Sequence, residues 1–278
     1  MEETFPLNTL NTNGLASYNL EDPINRNPQH QVRMASGPYG PAVVKTIPLS
    51  DDPFLRRILA AEQAGAELQR KLWLRYQGRP IPKVYDTGIS DDSWFVAMER
   101  VDGTALSECF LLPREAFSLT LELARYLQLW QADGASQAVF VGDIKPSNMM
   151  RDREGRLWIV DFGAVQSASN GSAPDVVRSL AYCSPERLES RIVTPASDRW
   201  ALMVSFYELL VGCRPFDLEM GFTSMPPLVT GLEPAWYALL TKGLELDPTR
   251  RHASAEALVA DLEAVMNAGA GVPPSERE

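Results

Sequence analysis

Hydrophobic and polar positions change rhythm near residue 100. Before it, short apolar runs suggest strands at Leu15 to Leu20, Gln31 to Ala35, Ala42 to Ile47, Lys83 to Asp86 and Ser93 to Met98. Ser36-Gly37-Pro38-Tyr39-Gly40 has the composition of a turn and joins the second run to the third. One helix interrupts them: Asp52-Pro53 reads as an N-cap with proline in the first turn, opening an apolar-periodic stretch from about Phe54 to Leu74. After Asp102-Gly103 the period is helical over Pro113 to Gln131, Ser197 to Val211, Pro234 to Gly243 and Ser254 to Met266, with a strand-rich hairpin between the first two. The pattern predicts an α+β, bilobal fold. A small, mainly β lobe with one helix takes residues 1–101, its first 14 open to disorder, and a larger, mainly α lobe takes 102–266. Residues 267–278, with Gly, Pro and charge, are expected to be a disordered tail. Lobes joined at residues 99–102 would leave a cleft, a common setting for ligand sites.

Composition narrows the partners. A chain of 278 residues with 45% hydrophobic and 22% charged positions has ample length for a core and the balance of an ordinary soluble protein. Its net charge of −10 argues against a general nucleic-acid or anionic-membrane surface, which would need a basic stripe. The longest apolar run, Trp200 to Cys213, is interrupted by Glu208, too short to span a bilayer, and reads as a buried helix. Met1-Glu2-Glu3-Thr4 lacks the basic start and apolar core of a secretion signal, so a cytoplasmic location is expected. Cys109, Cys183 and Cys213 are widely spaced and read as reduced structural thiols. His30 and His252 are too few for a histidine metal site or a Ser-His-Asp triad, so carboxylate chemistry remains.

That chemistry concentrates in residues 139 to 163. Asp143, Lys145, Asn148 and Asp161 stand where phosphoryl transfer would need a base, a cation and two metal-binding groups. Asp143 and Asn148 are five apart, and a turn at Arg153-Glu154-Gly155 returns the chain along a strand to Asp161. Asp-Phe-Gly by itself occurs by chance in many proteins, and Asp-x-Lys-Pro is ordinary loop chemistry. Their order and separation together carry the signal.

The stretch resembles the catalytic loop and Asp-Phe-Gly segment of eukaryotic-like (Hanks-type) serine/threonine protein kinases, with a bacterial-type member the nearest texture. Val141-Gly142-Asp143-Ile144-Lys145-Pro146-Ser147-Asn148 retains that family's acid, lysine, proline and asparagine and lacks its His-Arg. The resemblance implies that Asp143 orients and accepts the proton of a substrate hydroxyl, that Lys145 balances charge on the moving phosphoryl group, and that Asn148 and Asp161 hold Mg2+, with Mn2+ as an alternative. Ala42-Val43-Val44-Lys45 is similar to the family's strand lysine, which implies that Lys45 contacts ATP phosphates and pairs with a helix glutamate; Glu67 is the choice and Glu62 the alternative. By position Met98 is the gatekeeper, the backbone of Glu99 and Val101 meets the adenine edge, and Met150 forms an apolar floor. Ser179-Leu180-Ala181-Tyr182-Cys183-Ser184-Pro185-Glu186 resembles the segment whose first hydroxyl bonds the catalytic Asp and Lys, so Ser179 favours Ser or Thr substrates. Glu186 would be anchored by Arg251, and Asp198 would bond the catalytic-loop backbone. The resemblance covers about residues 30 to 266 and separates protein kinases from small-molecule phosphotransferases through Lys145, Glu186, Asp198 and Arg251.

Two departures leave the activity open. The expected phosphate-loop position, Glu21-Asp22-Pro23-Ile24-Asn25-Arg26-Asn27-Pro28, has no glycine to bring backbone amides to phosphates, and it adds two carboxylates. Gly142 replaces the arginine that in relatives receives a phosphate on the activation segment, here Asp161 to Glu186, which predicts activity independent of phosphorylation at Ser167, Ser169 or Ser172. The chain is either an ATP- and Mg2+-dependent serine/threonine kinase acting on protein substrates, or a pseudokinase that binds nucleotide or scaffolds a regulated partner protein. Its oligomeric state is not written in the sequence.

Overall fold

The computed structural model describes residues 14–268 except 26, 28, 79, 133–137, 168–178, 217–221 and 223–231. Ser169, Ser172, most of the expected tail and two residues of the phosphate-loop position lie outside the described residues. The chain divides into two compact units, one ending at Val101 and the other starting at Asp102.

In the first unit, β1 (Asn19–Pro23), β2 (Gln31–Gly37), β3 (Gly40–Pro48), β4 (Val84–Ser90) and β5 (Ser93–Glu99) form an antiparallel sheet in the order β1-β2-β3-β5-β4. The β2–β3 hairpin closes on a Gly37–Gly40 pair around Pro38-Tyr39, and Gly40 takes φ 98°, which the missing side chain makes inexpensive. Helix α1 (Pro53–Tyr76) starts where the caps place it: the Asp52 carboxylate accepts from Phe54 N and Leu55 N, and Pro53 supplies a first-turn residue with no amide to satisfy. Both faces of β5 are covered, so its alternation divides two cores instead of separating core from solvent. Trp94, Val96 and Met98 pack with Ile47, Ala66 and Val84, while Phe95 and Ala97 pack with Tyr18, Ala35, Ala42 and Val44.

The expected strand from Leu15 begins instead with a 3-10 turn at Leu15–Ser17, held by Ser17 N and Oγ donating to Gly14 O, and β1 starts only at Asn19. Tyr18 explains the break. Its ring lies on Gly37, where a Cβ would come within 2.4 Å, and its hydroxyl donates to the buried Asp86 at 2.6 Å.

The second unit is mainly helical. Its helices are α2 (Pro113–Gln131), α3 (Pro185–Ser190), α4 (Pro195–Val211), α5 (Pro234–Gly243) and α6 (Ala255–Asn267) among the described residues. Thr194 and Ser197 exchange hydrogen bonds at the start of α4, and Gly212 at φ 80° ends it. The apolar run read from Trp200 to Cys213 is buried on α4 as far as Tyr207, half-buried to Val211 and exposed at Cys213, and α4 and α6 each pack against α2. Small sheets hold the hairpin: β6 (Gly103–Ala105), β8 (Met149–Asp152) and β9 (Leu157–Ile159) form one, and β7 (Val139–Phe140) with β10 (Gln166–Ser167) the other. The turn predicted at Arg153-Glu154-Gly155 is present, with Gly155 at φ 80° and the Asp152 carboxylate accepting from Glu154 N, Arg156 N and Trp158 Nε1. Among the described residues no helix is long and apolar enough to cross a membrane.

Candidate active site

In the first unit, Lys45 projects from β3 toward the face of the sheet that α1 covers, the face shared with Val43 and Ile47. There it meets Glu62, not Glu67: Lys45 Nζ lies 2.5 Å from Glu62 Oε1, with both side chains almost fully buried. The helix period gives the reason. Ile58, Glu62, Ala66 and Gln69 share the buried stripe of α1, whereas Glu67 is five residues past Glu62, on the exposed side, 3.5 Å from Lys71. Met98 is buried on β5 between Val43 and Val84. Glu99 N donates to Lys83 O at the end of β5, and Val101 follows two residues later.

In the second unit, β7 delivers the chain to a tightly braced loop. Asp143 Oδ2 receives Lys145 Nζ at 2.8 Å and Asn148 Nδ2 at 2.9 Å, and Lys145 Nζ also donates to Ser179 Oγ at 2.6 Å. One ammonium thus ties the acid to the hydroxyl of a segment 36 residues further along. Asn148 also donates Nδ2 to Asp143 O, so neither of these bonds uses its amide oxygen, the atom an asparagine offers a cation. Asp161 follows β9, and its Oδ1 accepts from Gly163 N. Met150 lies on β8, paired with Ala105 and Trp158. Among the described residues no group of three or more His, Cys, Asp or Glu side chains could hold a metal ion alone. The Asn148 amide oxygen and the Asp161 carboxylate are hard oxygen donors, the ligand type that Mg2+ takes.

The loop is gripped from behind. Val141 N and Gly142 N donate to the two oxygens of Asp198 on α4, at 2.8 and 2.9 Å. Burial pushes the Asp198 carboxyl up to about 6, although those amides and the nearby Arg187 and Arg199 pull it down. Glu186 and Arg251 form the expected pair, which is bidentate with 2.8 Å on each arm, and Arg251 lies over the Trp200 ring. Burial works to raise the Glu186 carboxyl, but bonding to Arg251 wins and holds it below its ordinary range. Tyr182, three residues after Ser179, donates to Glu208 on α4 at 2.6 Å.

Two features escaped the sequence reading. Gly142 has φ 76°, and a Cβ there would meet Ala164 O at 2.4 Å, so glycine is demanded by the backbone. Arg187, buried directly after Glu186, donates to Gly142 O. A charged residue one position past a motif glutamate was the available signal, but nothing local says where it points.

Comparison with known proteins shows the family. Residues 42–261 match the family described as "Protein kinase domain". The chain is 27% identical over 238 residues to the serine/threonine-protein kinase PrkC of Bacillus subtilis, covering 79% of this chain and 35% of that protein. It is 29% identical over 241 residues to the serine/threonine-protein kinase PknL of Mycobacterium bovis, covering 77% and 59%. With serine/threonine-protein kinase F of Synechocystis it shares 30% over 200 residues, covering 66% and 38%. The chain spans between about a third and three fifths of the length of these relatives.

Proposed function

This chain belongs to the protein kinase family, and from that premise we propose that it transfers the γ-phosphoryl group of ATP to serine or threonine hydroxyls of protein substrates. The observation that carries this reading is the convergence of Lys145 Nζ on both Asp143 and Ser179, with Asn148 completing the hold on the acid. Asp143 orients the substrate hydroxyl and takes its proton as the oxygen bonds to the γ-phosphorus and the bridging oxygen leaves with ADP. Lys145 offsets the negative charge that spreads over the transferring group, and Ser179 keeps that ammonium in place. In the first unit, Lys45 serves as the phosphate-contacting cation, with Glu62 in the role expected of Glu67. The Glu99 carbonyl and Val101 N–H receive the adenine edge, with Met98 as its apolar neighbour.

Asn148 and Asp161 would hold Mg2+, or Mn2+ in its place. Bound there, the ion neutralises phosphate charge during transfer. The fit rests on their oxygen donors and on Asn148 engaging Asp143 through nitrogen alone.

A pseudokinase is the second reading, favoured by the connection between β1 and β2. That connection contains no glycine, and its described part is pinned by asparagine: Asn25 Oδ1 accepts from Val32 N, and Asn27 Oδ1 accepts from Gln29 N. Both readings are tested by following phosphate transfer from ATP-Mg to a generic protein substrate and to the chain itself, with Asp143→Asn as control. A kinase loses about 10²- to 10⁴-fold of its rate on loss of its base. Transfer by the unaltered chain no faster than by Asp143→Asn would leave the pseudokinase.

A further inference from the structure

Gly142 and Asp143 share the peptide on which the orientation of the acid depends, and the backbone leading into it is held from two directions. The two peptides before it are fixed through Asp198, which accepts from Val141 N and Gly142 N and also from Gln131 Nε2 at 3.4 Å. Its carbonyl, Gly142 O, accepts from Arg187 Nη1, on the helix that begins at Pro185. Arg187 is 4% exposed, so this guanidinium has given up most of its water, and a charged donor is worth about twice a neutral one under such conditions. No side chain at position 142 could do the same work, because the positive φ and the Ala164 carbonyl leave no room for a Cβ.

We propose that Arg187 is a positioning residue for the catalytic loop, clamping the peptide before Asp143 from the helix that follows the activation segment, so that the loop is held without a phosphorylated side chain. This rests on the kinase reading above. The mechanical argument is short. Asp143 keeps its bonds to Lys145 and Asn148 only while its backbone stays put, and a displacement of about 1 Å at a reacting group can cost on the order of 10²-fold in rate. With the arginine of the family's motif replaced by Gly142, the guanidinium reaches the loop from 45 positions along the chain.

The test compares Arg187→Met and Arg187→Lys with the unaltered full chain in three measurements. Arg187→Met is expected to lower kcat about 10- to 100-fold with the KM for ATP changed less than about threefold, and Arg187→Lys, which keeps the charge and a donor, is expected to recover part of the loss. Amide hydrogen exchange should quicken across residues 139–148 in Arg187→Met while exchange in β1 to β5 stays as before. Phosphatase treatment of the unaltered chain should leave its rate unchanged. An unchanged kcat, unchanged exchange in the loop, or activity abolished by phosphatase would each overturn the proposal. If the unaltered chain transfers no phosphate, the kinase reading fails, and hydrogen exchange still decides the clamp. Should Arg187→Met not fold, exchange in Arg187→Lys decides it.

Discussion

Lys45 and Glu62 are opposite charges removed from water together, and each compensates part of the other's lost hydration. The consequence is that removing one charge takes a short, buried bond from the other. Glu62→Gln is expected to cost about 1–3 kcal/mol of stability by chemical denaturation and to depress phosphate transfer, whereas Glu67→Gln, at an exposed site, should stay within about 0.5 kcal/mol and keep its activity. Equal effects from the two substitutions would refute the assignment of Glu62. Asp143 shows the same logic in a functional setting, since its carboxylate is almost buried yet bonded by a cation and an amide. Gly142 differs from both. What matters there is the absence of a side chain, beside the carbonyl of Ala164.

At the scale of elements, the helices were read from local rules and the sheet from alternation. Helix α2 runs over the residues its period marks, Pro113–Gln131, because period and proline start coincide and Glu115 Oε2 accepts from Leu112 N to satisfy an amide at the helix entry. Strand β1 began late because Tyr18 follows a tertiary demand, reaching Asp86 on β4 across 68 positions of sequence. Burial, followed by bonding to Asp86, pushes the Tyr18 phenol well above its ordinary range, so it remains a proton donor at any working pH. Tyr18→Phe is therefore expected to leave the Asp86 carboxylate short of a partner in a dry site and to destabilise the first unit by about 1–3 kcal/mol, measured from its denaturation midpoint. A loss below about 0.5 kcal/mol would mean that the bond contributes little to joining β1 to β4.

For the molecule as a whole, pH exposes a group that no active-site argument uses. His252 is buried in the second unit with Arg199 and Lys242 near it and Asp261 3.3 Å away; burial, followed by the charge of Lys242, lowers its pKa to about 4. Its unfolded value is about 6.5, so between these limits the unfolded chain binds the extra proton, and stability present above pH 6.5 is lost as pH falls toward 4. Asp198, with its raised pKa, works in the opposite sense over part of the same range but is common to both proteins in a comparison with His252→Gln. That variant should lose less stability than the unaltered chain between pH 7 and pH 5, by on the order of 1–2 kcal/mol, and identical losses would refute the role of His252.

The sequence by itself determined the α+β class, most helix spans, the kinase-family resemblance and the order of Lys45, Asp143, Asn148, Asp161, Ser179 and Glu186 along the chain. Periodicity, caps and motif spacing are local quantities, and those features depend on nothing else. Only the tertiary structure decided that Lys45 meets Glu62, that Tyr18 ends a turn to reach Asp86, and that Arg187 grips Gly142. A helical period specifies which residues share a face, but which partner that face meets is set by packing between segments far apart in sequence, where local rules carry no information.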